Sequence, residues 1–216
     1  MKEADTQSPG RVEVIDHPII RTRLSQLRDR DTDTPHFRQA LHDIALLMTP
    51  AITRDLETEA VDIQTPLCRT TGHRLRRPLV LVPILRAGVG LMHGFSSILT
   101  EASIGHIGLY RDEETLQPRR YYAKFPAHLP DADTLLIDPM LATGHSSAEA
   151  AAQLKAAGAT RIRFVCLIAA PQGIATFHAR HPDIPIYTAH IDDGLDERAY
   201  IVPGLGDAGD RYFGTV

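Results

Sequence analysis

The 216-residue sequence is poor in cysteine: Cys68 and Cys166 stand alone, outside any CxxC context. That excludes a disulfide-stapled scaffold and a cysteine zinc site, and it suits free thiols in a reducing cytoplasm. A basic excess is also missing, with 23 Lys and Arg against 27 Asp and Glu and a net charge of −4. A domain that grips nucleic acid electrostatically needs the opposite balance. Long hydrophobic runs are absent too. The longest stretch without a formal charge, Phe164 to Ala179, contains Pro171, Gln172, Gly173 and His178, and it falls short of the ~18 apolar residues of a membrane span. Lys2, Glu3 and Asp5 lead into no apolar segment, so no signal peptide is expected. No repeat, low-complexity tract or linker divides the chain, and residues 1–216 are expected to form one domain.

What is present is an ordinary globular composition, 43% hydrophobic and 23% charged, at a size where folding hides roughly 70% of the chain's surface. Residues 1–34 are polar and charge-rich, with one apolar patch at Val12, Val14, Ile15, Ile19 and Ile20, and are expected to be an N-terminal arm. From Phe37 the apolar positions Leu41, Ile44, Met48, Ile52 and Leu56 have helical spacing. Thr34-Pro35 is the expected start of that helix, and Pro50 its expected kink or break. Apolar runs at Leu79–Leu85, Leu135–Ile137, Ile162–Ala169 and Ile184–Ala189 lack polar alternation, as parallel strands covered on both faces do. The first three lead into a glycine-containing turn and a helical segment, the rhythm of an α/β open sheet. His106–Arg111 and Tyr121–Phe125 flank a polar stretch and are expected to form a hairpin flap with Pro118 in its loop.

Ligands of open α/β sheets sit at the carboxyl ends of the strands. There, Leu135-Leu136-Ile137 ends in Asp138 and passes through Pro139-Met140-Leu141-Ala142-Thr143-Gly144-His145-Ser146 into an alanine-rich helix. Amides at the helix start, with the hydroxyls of Thr143 and Ser146, form a cup for a phosphate dianion. Asp138 is placed to accept hydrogen bonds from sugar hydroxyls. Arg86 directly follows the strand Leu79–Leu85, and its guanidinium suits bidentate phosphate contact. Gly204, Gly206, Gly209 and Gly214 crowd the last stretch. Gly204 to Gly209 fits G-x-G-x-x-G, but no βαβ unit or acidic residue follows at the dinucleotide spacing. Such glycines let main-chain groups approach a flat ligand. His178 and His181 have helical metal-ligand spacing without a third ligand, so no metal site is expected in the chain.

The segment Asp138–Ser146 resembles the phosphoribosyl-pyrophosphate loop of type I phosphoribosyltransferases, and its DPMLATG form resembles the uracil phosphoribosyltransferase family in particular. Val82–Gly88 is similar to that family's pyrophosphate loop, Tyr110–Leu116 to its flexible hairpin, and Tyr200–Asp210 to its uracil-binding hood. The resemblance implies an α/β type I phosphoribosyltransferase fold: a central, mostly parallel sheet flanked by helices, with a flap at 106–125 and a hood at 190–216. It implies transfer of a phosphoribosyl group from phosphoribosyl pyrophosphate to uracil, giving UMP and pyrophosphate in pyrimidine salvage. Arg86, Arg111 and Asp207 are the implied catalytic residues. Phosphoribosyl pyrophosphate falls to Arg86, Arg111, Asp138, Pro139, Met140, Leu141, Ala142, Thr143, Gly144, His145, Ser146 and Asp207, and uracil to Ile201, Gly206, Asp207 and Ala208. Mg2+ is implied, bound mainly through the substrate, together with a homodimer or higher homo-oligomer and GTP as a candidate effector. His145 departs from the family's usual glycine; its imidazole either adds a cation beside the phosphate or points outward. Two alternatives stand beside this reading. One is transfer to another base; the other is a regulatory RNA-binding protein on the same fold, which the net charge disfavours.

Overall fold

The computed structural model describes residues 10–111 and 118–215, the side chains of Arg111 and Pro118 excepted. In chain order the elements are β1 (Val12–Val14), α1 (Pro18–Arg28), α2 (Thr34–Thr53), β2 (Thr58–Gln64), β3 (Arg69–Leu75), β4 (Leu79–Leu85), α3 (Gly88–Ile98), β5 (Ser103–Ile104), β6 (His106–Arg111), β7 (Pro118–Lys124), β8 (Asp133–Ile137), β9 (Met140–Leu141), α4 (His145–Ala156), β10 (Arg161–Ala169), α5 (Pro171–Arg180), β11 (Ile186–Ile191), β12 (Gly194–Leu195), β13 (Ile201–Val202) and α6 (Ala208–Phe213).

The main sheet runs β1-β11-β10-β8-β4-β6-β7, with β5 added to β4 and β9 to β10. Every pairing in it is parallel except β6 with β7. Successive residues of its central strands feed two cores. Leu79, Leu81, Leu135, Ile137, Val165 and Leu167 pack with α1, α2 and α3. Val80, Val82, Leu136, Phe164 and Cys166 pack on the other face with α4 and α5. That double burial is why these strands read as unbroken apolar runs. Each fully buried Leu, Ile or Phe contributes about 1.5–3 kcal/mol.

Several local expectations are corrected. Asp33, not Thr34, caps α2, its carboxylate accepting from the His36 amide at 2.9 Å. Pro50 neither breaks nor divides α2, which continues to Thr53; near a helix end the missing N–H removes a bond from the final turns only. Pro118 opens β7 instead of lying in the flap's loop, a position where a strand tolerates proline. Residues 112–117 of the flap lie outside the described residues. Within the span read as an arm, β1 forms the sheet's edge beside β11, and α1 buries Ile20, Leu24 and Leu27.

Residues 58–75 form a separate antiparallel hairpin of β2 and β3, an element not expected from the sequence. Both of its faces meet solvent, and Leu67 at its tip is 94% exposed. Cys68 is exposed beside Leu67, whereas Cys166 is buried, and burial pushes its thiol up to about 12. Among the described residues, no helix is long and apolar enough to cross a membrane.

Candidate active site

The chain lays down β4, moves outward to β6 and β7, and then returns to place β8 on the other side of β4. Such a reversal opens a crevice between neighbouring strands at their carboxyl ends. Pro83 pairs with Ile137 there, so Arg86 and Asp138 leave adjacent strands side by side.

Beyond Asp138 the chain does not turn away at once. β9 runs parallel to β10, and this buries Leu141 completely. Pro139 is buried as well. Neither side chain reaches the crevice, so of the expected phosphoribosyl-pyrophosphate residues these two offer only main chain. Met140, Ala142, Thr143, Gly144, His145 and Ser146 do line it, as does Asp138. Gly144 holds the cap position of α4 at φ 81°, and no side chain caps the helix. The amides of its first turn therefore open toward the crevice at the positive end of the helix dipole. His145 is exposed at the first helical position and forms part of the wall.

Burial raises the Asp138 carboxyl to about 7, against the smaller lowering effect of the Met140 amide. An arginine beside it would have held it low; here it faces the crevice half-buried and without a cationic partner among the described residues.

The opposite wall is the glycine-rich segment. β12 and β13 form a short antiparallel ladder, the Val202–Pro203 peptide is cis, and Gly204 and Gly206 take φ 60° and 78°. Asp207 caps α6, accepting from the Asp210 amide at 2.9 Å. Ile201, Gly206, Asp207 and Ala208 all face the crevice, completing a cavity of about 420 Å³ with the loop after β8.

Arg86 stands at the rim and is not part of that wall. Its guanidinium lies 3.1 Å from the Asp210 carboxylate and over the Phe213 ring. The expected placement of the Arg111 side chain lies outside the described residues. Ala87, in the segment read as the pyrophosphate loop, and Arg198, Ala199, Tyr200 and Gly209, in the span read as the hood, also line the cavity, as does Ser147; none of the six was named as a site residue from the sequence. The loop carrying Arg198 is tightly built: Asp196 accepts from the amides of Arg198 (2.9 Å) and Tyr200 (2.8 Å), and Ala199 sits at φ 66°. Glu197, Arg198 and Ala199 are strong helix formers, so nothing in their order signals this turn. His178 and His181 lie elsewhere, each with Nε2 against a backbone carbonyl, of Ile184 and Ala148 respectively.

The chain has counterparts among known proteins. The sequence pattern of the family described as uracil phosphoribosyltransferase matches residues 14–215. The chain belongs to the uracil phosphoribosyltransferase family. A uracil phosphoribosyltransferase of Ligilactobacillus salivarius is 49% identical over 207 residues, covering 95% of this chain and 99% of that protein. The solved AQ2163 protein from Aquifex aeolicus superposes with a TM-score of 0.89 at 30% identity, over 94% of this chain and 97% of that one. An adenine phosphoribosyl transferase from Trypanosoma brucei shares the fold, with a TM-score of 0.55 at 14% identity over 94% and 92% of the two chains. The family match spans both the loop after β8 and the hood, and the sheet beneath them has the type I phosphoribosyltransferase fold.

Proposed function

We propose that the cavity between the loop after β8 and the hood is where this chain carries out its family's reaction, uracil and phosphoribosyl pyrophosphate giving UMP and pyrophosphate. The observation that carries this is the joint wall: a phosphate-type helix start and a main-chain-lined hood close on one space large enough for a nucleotide. The first turn of α4, with Thr143 and Ser146, takes the 5′-phosphate. Asp138 accepts from the ribose hydroxyls. Main-chain groups around Ile201, Gly206 and Ala208 read the base, and a site matched to uracil's carbonyls and N–H leaves its polar groups unpaired against cytosine.

Displacement at the anomeric carbon develops positive charge on the ribose and negative charge on the departing pyrophosphate. Arg86, released from Asp210, and Arg111 supply the cations that stabilise the leaving group. Closure of 106–125 over the 190–216 hood, within a single domain of residues 1–216, excludes water. Members of this enzyme class generally use Mg2+ with phosphoribosyl pyrophosphate. The cavity wall offers the two carboxylates Asp138 and Asp207, and an ion with so few protein ligands is held mainly by substrate oxygens. Asp207 would hold it through water, and bound there the ion would neutralise pyrophosphate charge. GTP as an effector is carried by family membership alone.

The test is an assay of UMP formation with uracil, cytosine, hypoxanthine and adenine, run beside a gel shift with RNA. Turnover of uracil alone is expected, and RNA retention without turnover would overturn the reading.

Asp138 gives this reading a pH signature. Ribose hydroxyls donate to the carboxylate, so affinity for phosphoribosyl pyrophosphate should rise as the pH passes through about 7. Asp138→Asn should flatten that limb and weaken binding about ten- to a hundredfold, the worth of a hydrogen bond to a charged group. Its effect on stability has the opposite sign. A carboxyl raised from 3.8 to about 7 disfavours the folded state increasingly between those values. Asp138→Asn should therefore raise Tm at pH 8 and leave it unchanged near pH 4. Calorimetry and thermal melts at both pH values read the two effects, and unchanged affinity at pH 8 would remove Asp138 from the ribose site.

A homo-oligomer is part of the same proposal, supported by the bare β2–β3 hairpin, since a two-stranded ribbon is marginal without a partner. Sedimentation should find a dimer or larger species, and Leu67→Glu should shift it toward monomer. A monomeric wild-type chain would count against it.

A further inference from the structure

The hood is held from behind by side chains that do not face the substrate cavity. Arg211, on α6, makes no ion pair among the described residues and donates only to main-chain carbonyls. Its Nη1 bonds the Leu205 oxygen at 2.9 Å and the Leu27 oxygen, and its Nη2 bonds the oxygens of Asp29 (2.6 Å) and Thr32 (3.4 Å). The guanidinium lies over the Phe37 ring, 4.5 Å from its centroid.

Beside it, Asp192 follows β11 with its side chain wholly buried. It accepts from the Gly204 amide at 2.8 Å, from both terminal nitrogens of Arg28, and sits 2.8 Å from His190 Nδ1. Arg28 also donates to the Gly204 carbonyl at 2.8 Å. Both polar groups of Gly204 and the carbonyl of Leu205 are thus fixed from the side of α1.

A peptide unit is a rigid plane, and in the trans form its C=O and N–H point in opposite directions. The Leu205 carbonyl and the Gly206 amide belong to one such unit. Pinning the carbonyl on Arg211 aims the Gly206 N–H the other way, and Gly206 is the residue that separates the substrate cavity from a second cavity of about 370 Å³ lined by Arg28, Leu205 and Arg211. A Cβ on Gly206 would lie 3.8 Å from Arg211 Cδ, so the arginine backs directly onto this residue.

We propose that Arg211 and the Asp192–Arg28 pair are positioning residues that set the hood's choice of base, by holding the Gly204–Gly206 main chain so that its N–H meets a uracil carbonyl. The inference rests on the hood being the base site. Cytosine carries an amino donor where uracil carries a carbonyl, so a rotated peptide both loses uracil and stops rejecting cytosine.

The test uses the full chain with Arg211→Met, Arg211→Lys and Arg28→Lys. In Arg211→Met the KM for uracil should rise at least tenfold and the uracil-to-cytosine ratio of kcat/KM should fall. The Kd for phosphoribosyl pyrophosphate should stay within twofold. Arg211→Lys and Arg28→Lys keep the charge but lose the planar fork, and should fall between Arg211→Met and the wild type. Folded variants with unchanged uracil KM and ratio would overturn the proposal. Equal losses for both substrates, or a set in which no variant folds, would assign the residues to general stability and overturn it too. Gly206→Val in the same assay separates the premises. If it uses uracil as the wild type does, the hood is not the base site; if it fails while the arginine variants do not, only the brace is wrong.

Discussion

Gly204→Ala is expected to cost more than a hundredfold in kcat/KM for uracil while the protein still binds phosphoribosyl pyrophosphate. A Cβ at this position would lie 2.0 Å from the Ile201 oxygen, a main-chain atom with no side-chain freedom to escape. The left-handed φ of 60° adds a conformational cost of about 1–2 kcal/mol for any L residue. The turn must therefore move, and with it the Gly204 amide and carbonyl that Asp192 and Arg28 hold. Each misplaced polar contact to the base costs about 1–3 kcal/mol, and each 1.36 kcal/mol is roughly tenfold in rate. Gly206→Val is the milder partner, since no atom lies closer to its Cβ than Arg211 Cδ at 3.8 Å. Its φ of 78° costs about 1–3 kcal/mol for a β-branched residue, or roughly ten- to a hundredfold. Steady-state kinetics for both variants, with calorimetry for phosphoribosyl pyrophosphate, reads the order. Equal and small losses would mean that the hood's path is not what selects uracil.

Gly144→Ala should do the reverse, weakening phosphoribosyl pyrophosphate first. Here the added Cβ would meet the Gly173 oxygen at 2.5 Å and Thr176 Cβ at 3.1 Å. The cap of α4 must back away from α5, and the amides of its first turn lose their shared focus on the phosphate. With a φ of 81° to satisfy as well, a destabilisation of about 2–3 kcal/mol is expected, near the left-handed penalty plus relaxation of the contact. For a chain of this length that lowers Tm by roughly 4–12 °C. The Kd for phosphoribosyl pyrophosphate should rise at least tenfold. Thr143→Ala, which removes one hydroxyl and moves no backbone, should cost less on both counts. Wild-type binding by Gly144→Ala would remove the start of α4 from the phosphate site.

What the sequence disclosed follows from which contacts are local. β4 was legible to the residue, Leu79 to Leu85, because both of its faces are buried and no polar residue interrupts it. Asp138 through Ser146 was legible because one short stretch supplies the strand end, the turn and the helix start. β1 was hidden in a polar arm, since an edge strand of three residues leaves only a brief apolar alternation. The hairpin of β2 and β3 was illegible for the same reason it is bare: no residue of either strand is buried, and the apolar alternation of Val61 and Ile63 has no counterpart in the polar run of β3. Arg198 reaches the cavity through a tight loop whose geometry rests on one aspartate. The brace behind the hood joins Arg28 to Asp192 and Leu27 to Arg211, pairs separated by 164 and 184 positions. No periodicity within a window can reveal contacts of that range.

The placement of the two cysteines makes the protein selective toward thiol reagents. Cys166 is packed between β-strand neighbours, its thiol held near 12 by burial, and it offers almost no thiolate at neutral pH. Cys68, at the tip of the β2–β3 hairpin, is open to solvent. A maleimide dye added to the native chain should therefore mark one position per chain without mutagenesis. Donor- and acceptor-labelled samples mixed together would then report, by energy transfer, whether hairpins of different chains meet.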